Sequence, residues 1–207
     1  MNGWWLKKIK SLHIFENIYN QMALTPSNML PLETEAPHFE LWDSVSNSIK
    51  TLNNLKGTKG TLILFICNHC PFVLHINEAL VAFANALKNK EISMIAISSN
   101  DAITYPQDGP EQMQKHAKKL NYPFPYLYDE TQAVAKAYDA ACTPDFYLFD
   151  SNLKLTYRGQ FDDSRPGNGL PVNGNDLKHA INCLIENSPN TRYQKPSIGC
   201  NIKWRVL

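Results

Sequence analysis

The sequence predicts a three-layer α/β fold, a mixed central sheet flanked by helices, preceded by an N-terminal extension. Three observations carry this reading. Thr61-Leu62-Ile63-Leu64-Phe65-Ile66 is a continuous apolar run after Gly60, the pattern of a central strand buried on both faces. Val73, Ile76, Leu80, Phe83, Ala84 and Leu87 then recur at helical spacing, and Asn89-Lys90 ends the segment. Ile92, Met94, Ile95, Ala96 and Ile97 form a second buried strand, completing a strand-helix-strand unit whose crossover is expected to be right-handed.

The remaining elements follow in order. Residues 1–24 are read as the extension and residues 25–207 as the domain. Trp4, Trp5, Ile9, Leu12, Phe15 and Tyr19, with Lys7, Lys8 and Lys10 between them, suit a short basic amphipathic helix. Polar residues interrupt it too often for a signal peptide, which needs an apolar stretch of about 7 to 15 residues, so the expected compartment is the cytoplasm. Thr25 to Pro37 carries three prolines and reads as an extended lead-in. Phe39–Asp43 and Ser48–Leu52 alternate in part and suit two edge strands of a hairpin. After the strand-helix-strand unit, Glu111–Leu120 is a shorter helix, Phe124–Tyr128 a short strand, and Thr131–Tyr138 a helix that Asp129 can cap. Phe146–Phe149 and Leu153–Tyr157 flank Asp150-Ser151-Asn152 as a hairpin, and Asp176–Ile185 is the last helix.

Composition narrows the function. Twenty basic and nineteen acidic residues leave a formal charge of +1, so no large field points to nucleic acid. The longest apolar run, around Leu62 to Cys67, falls far short of the roughly 20 residues that span a bilayer. Five cysteines, of which only Cys67 and Cys70 are neighbours, do not form a disulfide framework, and 207 residues can bury a core without staples.

Cys67-Asn68-His69-Cys70-Pro71 lies where the central strand ends and the helix begins. Thiol-disulfide exchange needs a thiolate nucleophile and a second thiol to resolve the mixed disulfide, and a CxxC at a helix start supplies both. Cys67 is expected to be the exposed, attacking thiol, with the helix N-terminus lowering its pKa below about 8.5, and Cys70 to lie beneath it. Pro71 fixes the helix start close to the pair. His69 can place its ring near the Cys67 sulfur and tune the thiolate. A closed zinc site would want four ligands, and the sequence has neither a second CxxC nor a close His pair, so no metal is assigned. Two inert buried thiols are the other plain reading. No phosphate loop, flavin or nucleotide signature is present, so no cofactor is implied.

These motifs resemble the thioredoxin superfamily, within it the redoxin-like branch of alkyl hydroperoxide reductase and thiol-specific antioxidant relatives. The resemblance runs from about Thr25 to Trp204. It is carried by FICNHCP, by Thr143-Pro144 before DFYLFD, and by FPYLYDE, while the closing IGCNIKW is similar to the tail of bacterial thioredoxin family proteins. The resemblance implies that Pro144 is cis and faces the first cysteine, and that the backbone of Thr143 pairs with an extended substrate. It also implies thiol-disulfide exchange with a disulfide-containing protein or a small thiol, and a reductant that the sequence leaves unidentified. Cys142 is expected as an accessory thiol on the rim of that groove. Cys183 reads as core, and Cys200 as a packed tail or a distant resolving thiol.

The sequence departs from the family at several points. Ile66 stands where thioredoxins carry Trp, and Thr61 where they carry a buried acid, which leaves proton handling unassigned. A thiol-dependent peroxidase is the alternative reading, but Gly60 and Leu64 occupy the places where peroxiredoxins hold Pro and Thr. A copper-binding or assembly module is a third, since soft thiolates suit Cu(I), although such carriers generally space their cysteines by three residues.

Overall fold

The computed structural model describes residues 24–206. The basic segment read from residues 1–21 lies outside the described residues. The chain runs β1 (Leu24–Pro26), β2 (Glu40–Asp43), β3 (Ser48–Thr51), α1 (Leu52–Leu55), β4 (Gly60–Phe65), α2 (Pro71–Leu87) and β5 (Ile92–Ser98). A 3₁₀ turn (Pro106–Asp108) leads to α3 (Pro110–Leu120), β6 (Tyr126–Tyr128), α4 (Ala133–Ala137), β7 (Cys142–Thr143), β8 (Asp145–Asp150), β9 (Leu155–Gly159), α5 (Asn175–Ile185) and β10 (Ile198–Asn201).

Seven strands form a mixed sheet in the order β3-β2-β6-β5-β4-β8-β9. β4 pairs parallel with β5 and antiparallel with β8, so the strand that ends two residues before Cys67 lies inside the sheet and every one of its residues is buried. Side chains alternate across a strand. Leu62 and Leu64 accordingly enter one apolar cluster with Val73, Leu80 and Ile181, while Ile63 and Phe65 enter another with Val134, Tyr138 and Leu52. The three-layer arrangement follows: α2, α3 and α5 on one face, α1 and α4 on the other. Among the described residues no helix is long and apolar enough to cross a membrane.

The sequence reading needs adjustment at its edges. β2 is not an edge strand, because β6 pairs on its far side; only β3 is. Asp129 does cap α4, accepting from the Ala135 N–H at 2.9 Å, but the helix starts at Ala133. Gln132 just before it is left-handed, its side chain donating to the carbonyls of Ser99 and Lys203. The lead-in after residue 24 is in part a strand. β1, β10 and β7 form a second, antiparallel sheet in which Leu24 is in register with Cys200, and Cys200 with Thr143.

Candidate functional site

β4 delivers Cys67 to the end of the central strand, and Cys70 becomes the N-cap of α2 with Pro71 in its first turn. Pro lacks an N–H that this turn would leave unbonded, so the helix begins where the cysteines need it. Opposite them lies the Thr143–Pro144 peptide, which is cis, as expected. Thr143 Oγ1 is 3.5 Å from Cys67 Sγ, and the Cys70 thiol donates to the Thr143 carbonyl at 3.1 Å.

Two expectations for Cys67 fail. It is 2% exposed, hardly more than Cys70 at 0%, because both sulfurs belong to the apolar cluster of Val73, Ile76, Phe124 and Tyr126. Its pKa is raised well above the ordinary thiol value: the hydrogen bond to Cys70, burial and the Asp108 carboxylate all oppose a thiolate there. Burial also opposes charge on Cys70, but hydrogen bonds from Cys200, Cys67 and Thr143 and the Val73 N–H outweigh it and hold that thiol low.

His69 faces a carboxylate that sequence reasoning missed. Its Nδ1 stands 2.6 Å from Asp108 Oδ2, in a geometry too bent for an aligned N–H···O bond, and its ring stacks on Tyr105. Asp108, fully buried, also accepts from the Asn68 N–H and from Asn100 Nδ2, each at 2.8 Å. One donor atom from each of Cys67, His69 and Asp108 lies within 4.8 Å of the others, the grouping among the described residues that would offer a metal ion three donors. A buried carboxylate thus stands beside Cys67, brought by the loop after β5 and not by β4. Tyr-Pro-Gln-Asp-Gly-Pro reads as turn chemistry in the sequence and gives no signal of this role.

Cys142 is not a rim thiol. Neighbouring side chains of a strand point to opposite faces, so with Thr143 turned toward Cys67, Cys142 turns away and is 0% exposed, its Sγ 3.8 Å from the Pro144 carbonyl. Burial and nearby Asp145 push its pKa up. The backbone of Thr143 is not free for a substrate either, since β10 pairs with it. Cys183 is core, as expected, beside His179. Cys200 is packed in the tail strand, yet its Sγ lies 3.0 Å from that of Cys70.

Comparison with known proteins identifies the fold and the family. Over 90% of this chain and 98% of the other, it is 55% identical to an uncharacterized conserved protein of Geobacillus kaustophilus, with a TM-score of 0.88. A hypothetical protein of Sinorhizobium meliloti is 45% identical over 88% of this chain and all of its own, with a TM-score of 0.86. The thioredoxin domain of a thiol-disulfide oxidoreductase from Bacteroides vulgatus shares the fold at 20% identity, covering 65% of this chain and 91% of that domain, with a TM-score of 0.55. No curated protein matches. Residues 32–158 match the AhpC/TSA family, and the chain therefore belongs to that family, in the redoxin-like branch of the thioredoxin superfamily.

Proposed function

We propose that this oxidoreductase exchanges disulfides through Cys67 and Cys70, with a disulfide-containing protein or a small disulfide as substrate and a separate thiol reductant restoring the dithiol. One observation carries the reading: two cysteines at a strand-helix junction, both touched by Thr143, whose hydroxyl lies 3.5 Å from Cys67 Sγ and whose carbonyl lies 3.1 Å from Cys70 Sγ. Cys67 attacks, because Cys70 is boxed between Cys67, the Thr143 carbonyl and Cys200. The proton that Cys67 loses ends on the departing substrate sulfur. The substrate disulfide breaks, Cys67 holds one half as a mixed disulfide, and Cys70 displaces it, leaving a Cys67–Cys70 disulfide and a reduced substrate. Insulin reduction by the dithiol-charged protein tests this. Cys67→Ala and Cys70→Ala should each abolish turnover, and an unchanged rate in either variant refutes the assignment.

One observation favours a second reading, a thiol peroxidase. Leu64 is buried in β4 and offers no hydroxyl, but Thr143 Oγ1 at 3.5 Å from Cys67 Sγ supplies one from another part of the chain. Peroxide consumption at rates above insulin reduction, lost in Thr143→Val, would replace the first reading with this one.

A further inference from the structure

We propose that Cys200 is a third redox thiol, which takes the disulfide over from Cys67 by exchange at Cys70. The inference rests on the exchange reading for Cys67 and Cys70 and extends it to a residue 130 positions away.

Cys70 is the middle sulfur of three. On one side Cys67 lies three residues back in the same CxxC turn, and on the other Cys200 Sγ stands 3.0 Å away, about 1 Å beyond the length of an S–S bond. A packing cysteine has no need of that approach. Cys200 is also placed rigidly. β10 pairs with β1 on one side and β7 on the other, with Cys200 in register with both Leu24 and Thr143. The chain beyond is tied down at three residues: Ile202 N–H to the Ala141 carbonyl at 3.0 Å, Lys203 N–H to Asn100 Oδ1 at 2.9 Å, and Arg205 N–H to Gln132 Oε1 at 2.8 Å. Gly199 lets the strand come this close, because a methyl group there would stand 1.9 Å from the Thr143 carbonyl oxygen. The fold therefore holds a cysteine-bearing strand of its own against Thr143, where the family resemblance puts an extended substrate.

The step balances without any further reactant. After turnover the Cys200 thiol loses its proton and attacks Cys70 Sγ. The Cys70–Cys200 bond forms, the Cys67–Cys70 bond breaks, and the electron pair leaves on Cys67 Sγ, which takes up a proton. No thiol is oxidised or reduced overall. The disulfide moves from Cys67–Cys70 to Cys70–Cys200, and Cys67 is again a free thiol.

Disulfide mapping tests this on the full chain. Protein oxidised with one equivalent of diamide is acid-quenched, alkylated with iodoacetamide and digested for mass spectrometry. The wild type should yield a peptide linking Cys70 to Cys200, with Cys67 alkylated in between about a tenth and nine tenths of the oxidised molecules, as holds when two disulfides differ by less than about tenfold in stability, or about 30 mV. In Cys200→Ala, and in Cys200→Ser as a second replacement, only the Cys67–Cys70 link should form and alkylation of Cys67 in oxidised molecules should vanish. Cys67→Ser should still form Cys70–Cys200. A Cys67→Ser protein in which Cys70 and Cys200 stay unlinked, beside a wild type showing Cys67–Cys70 alone, overturns the proposal and leaves the exchange reading standing. Absence of a Cys67–Cys70 link in Cys200→Ala overturns the exchange reading instead, while the Cys67→Ser result decides independently whether Cys70 and Cys200 form a redox pair.

Discussion

Replacing Asp108 with Asn should make Cys67 a stronger acid. The carboxylate is buried and lies within 4.8 Å of the Cys67 sulfur, and it is one of the causes that hold the thiol high. At an effective dielectric of about 20, a unit charge at that distance is worth about 3 kcal/mol, or about 2 pKa units. Asn keeps an acceptor for the Asn68 N–H while removing the charge. The measurement belongs in a Cys70→Ala background, where Cys67 titrates without the neighbouring thiol. Iodoacetamide alkylation of Cys67, followed against pH by mass spectrometry, should show the pKa falling by about 2 units. Below both pKa values the thiolate fraction then rises about 100-fold, but a more acidic thiol is a weaker nucleophile, and with a Brønsted slope of about 0.4 to 0.5 the net gain at pH 7 is about tenfold. Cys67 titrating at the same pH or higher in the Asp108→Asn protein would show that Asp108 acts on it only by positioning His69, and would refute the electrostatic argument.

Cys142→Ser should keep insulin reduction and give no change in oxidant-induced dimer on a non-reducing gel, because the thiol is sealed; urea unfolding should show a loss of about 1 to 3 kcal/mol for the buried hydroxyl. Gly199→Ala forces β10 and β7 apart by about 1 Å, which should cost about 1 to 3 kcal/mol in the same assay and reduce the yield of Cys70–Cys200 disulfide in diamide mapping. Asp145, beside the cis proline, accepts from Ser27, Tyr147 and the Phe146 N–H, yet burial pushes its carboxyl up to about 7. The folded state thus binds its proton more tightly than the unfolded chain, so this contribution is complete below about pH 4 and is lost as pH rises through about 7, with a span of about 4 kcal/mol. Urea midpoints should fall between pH 5 and pH 8 in the wild type, and Asp145→Asn should flatten that slope.

What the sequence discloses and what it hides divide along a physical line. The central layers are legible because burial writes a period into the chain: β4 and β5 as apolar runs, α2 and α5 as 3.6-residue stripes, with Pro71 marking the helix start. The cysteine pair is legible for the same reason, since both members sit on one local turn. The cis proline is legible only through family resemblance, as nothing in Thr143-Pro144 itself distinguishes it from a proline opening a strand. Exposure is where local reading fails. It placed Cys67 at the surface and Cys142 on a rim, whereas accessibility depends on what the rest of the chain packs over them.

Asp108, which sequence reasoning missed, and the contact with Cys70 of Cys200, whose role it left open, are hidden from the sequence by one cause. Asp108, 40 residues from Asn68, arrives on a loop whose composition announces only a turn. Cys200 arrives on a four-residue strand that is too short to read as an element, and whose partners, Leu24 and Thr143, lie far apart in the chain. Each is brought to the cysteines by backbone pairing or a buried hydrogen bond between distant segments, and neither leaves a periodic trace. The same topology explains why they matter together. β4 alone could present a CxxC, but the loop after β5 adds a carboxylate beside Cys67, and β10 adds a sulfur beside Cys70, so that each member of the pair has a different neighbour. A local motif made of two like residues is thereby converted into a site with two unlike ends, one beside a buried carboxylate and the other beside a third sulfur.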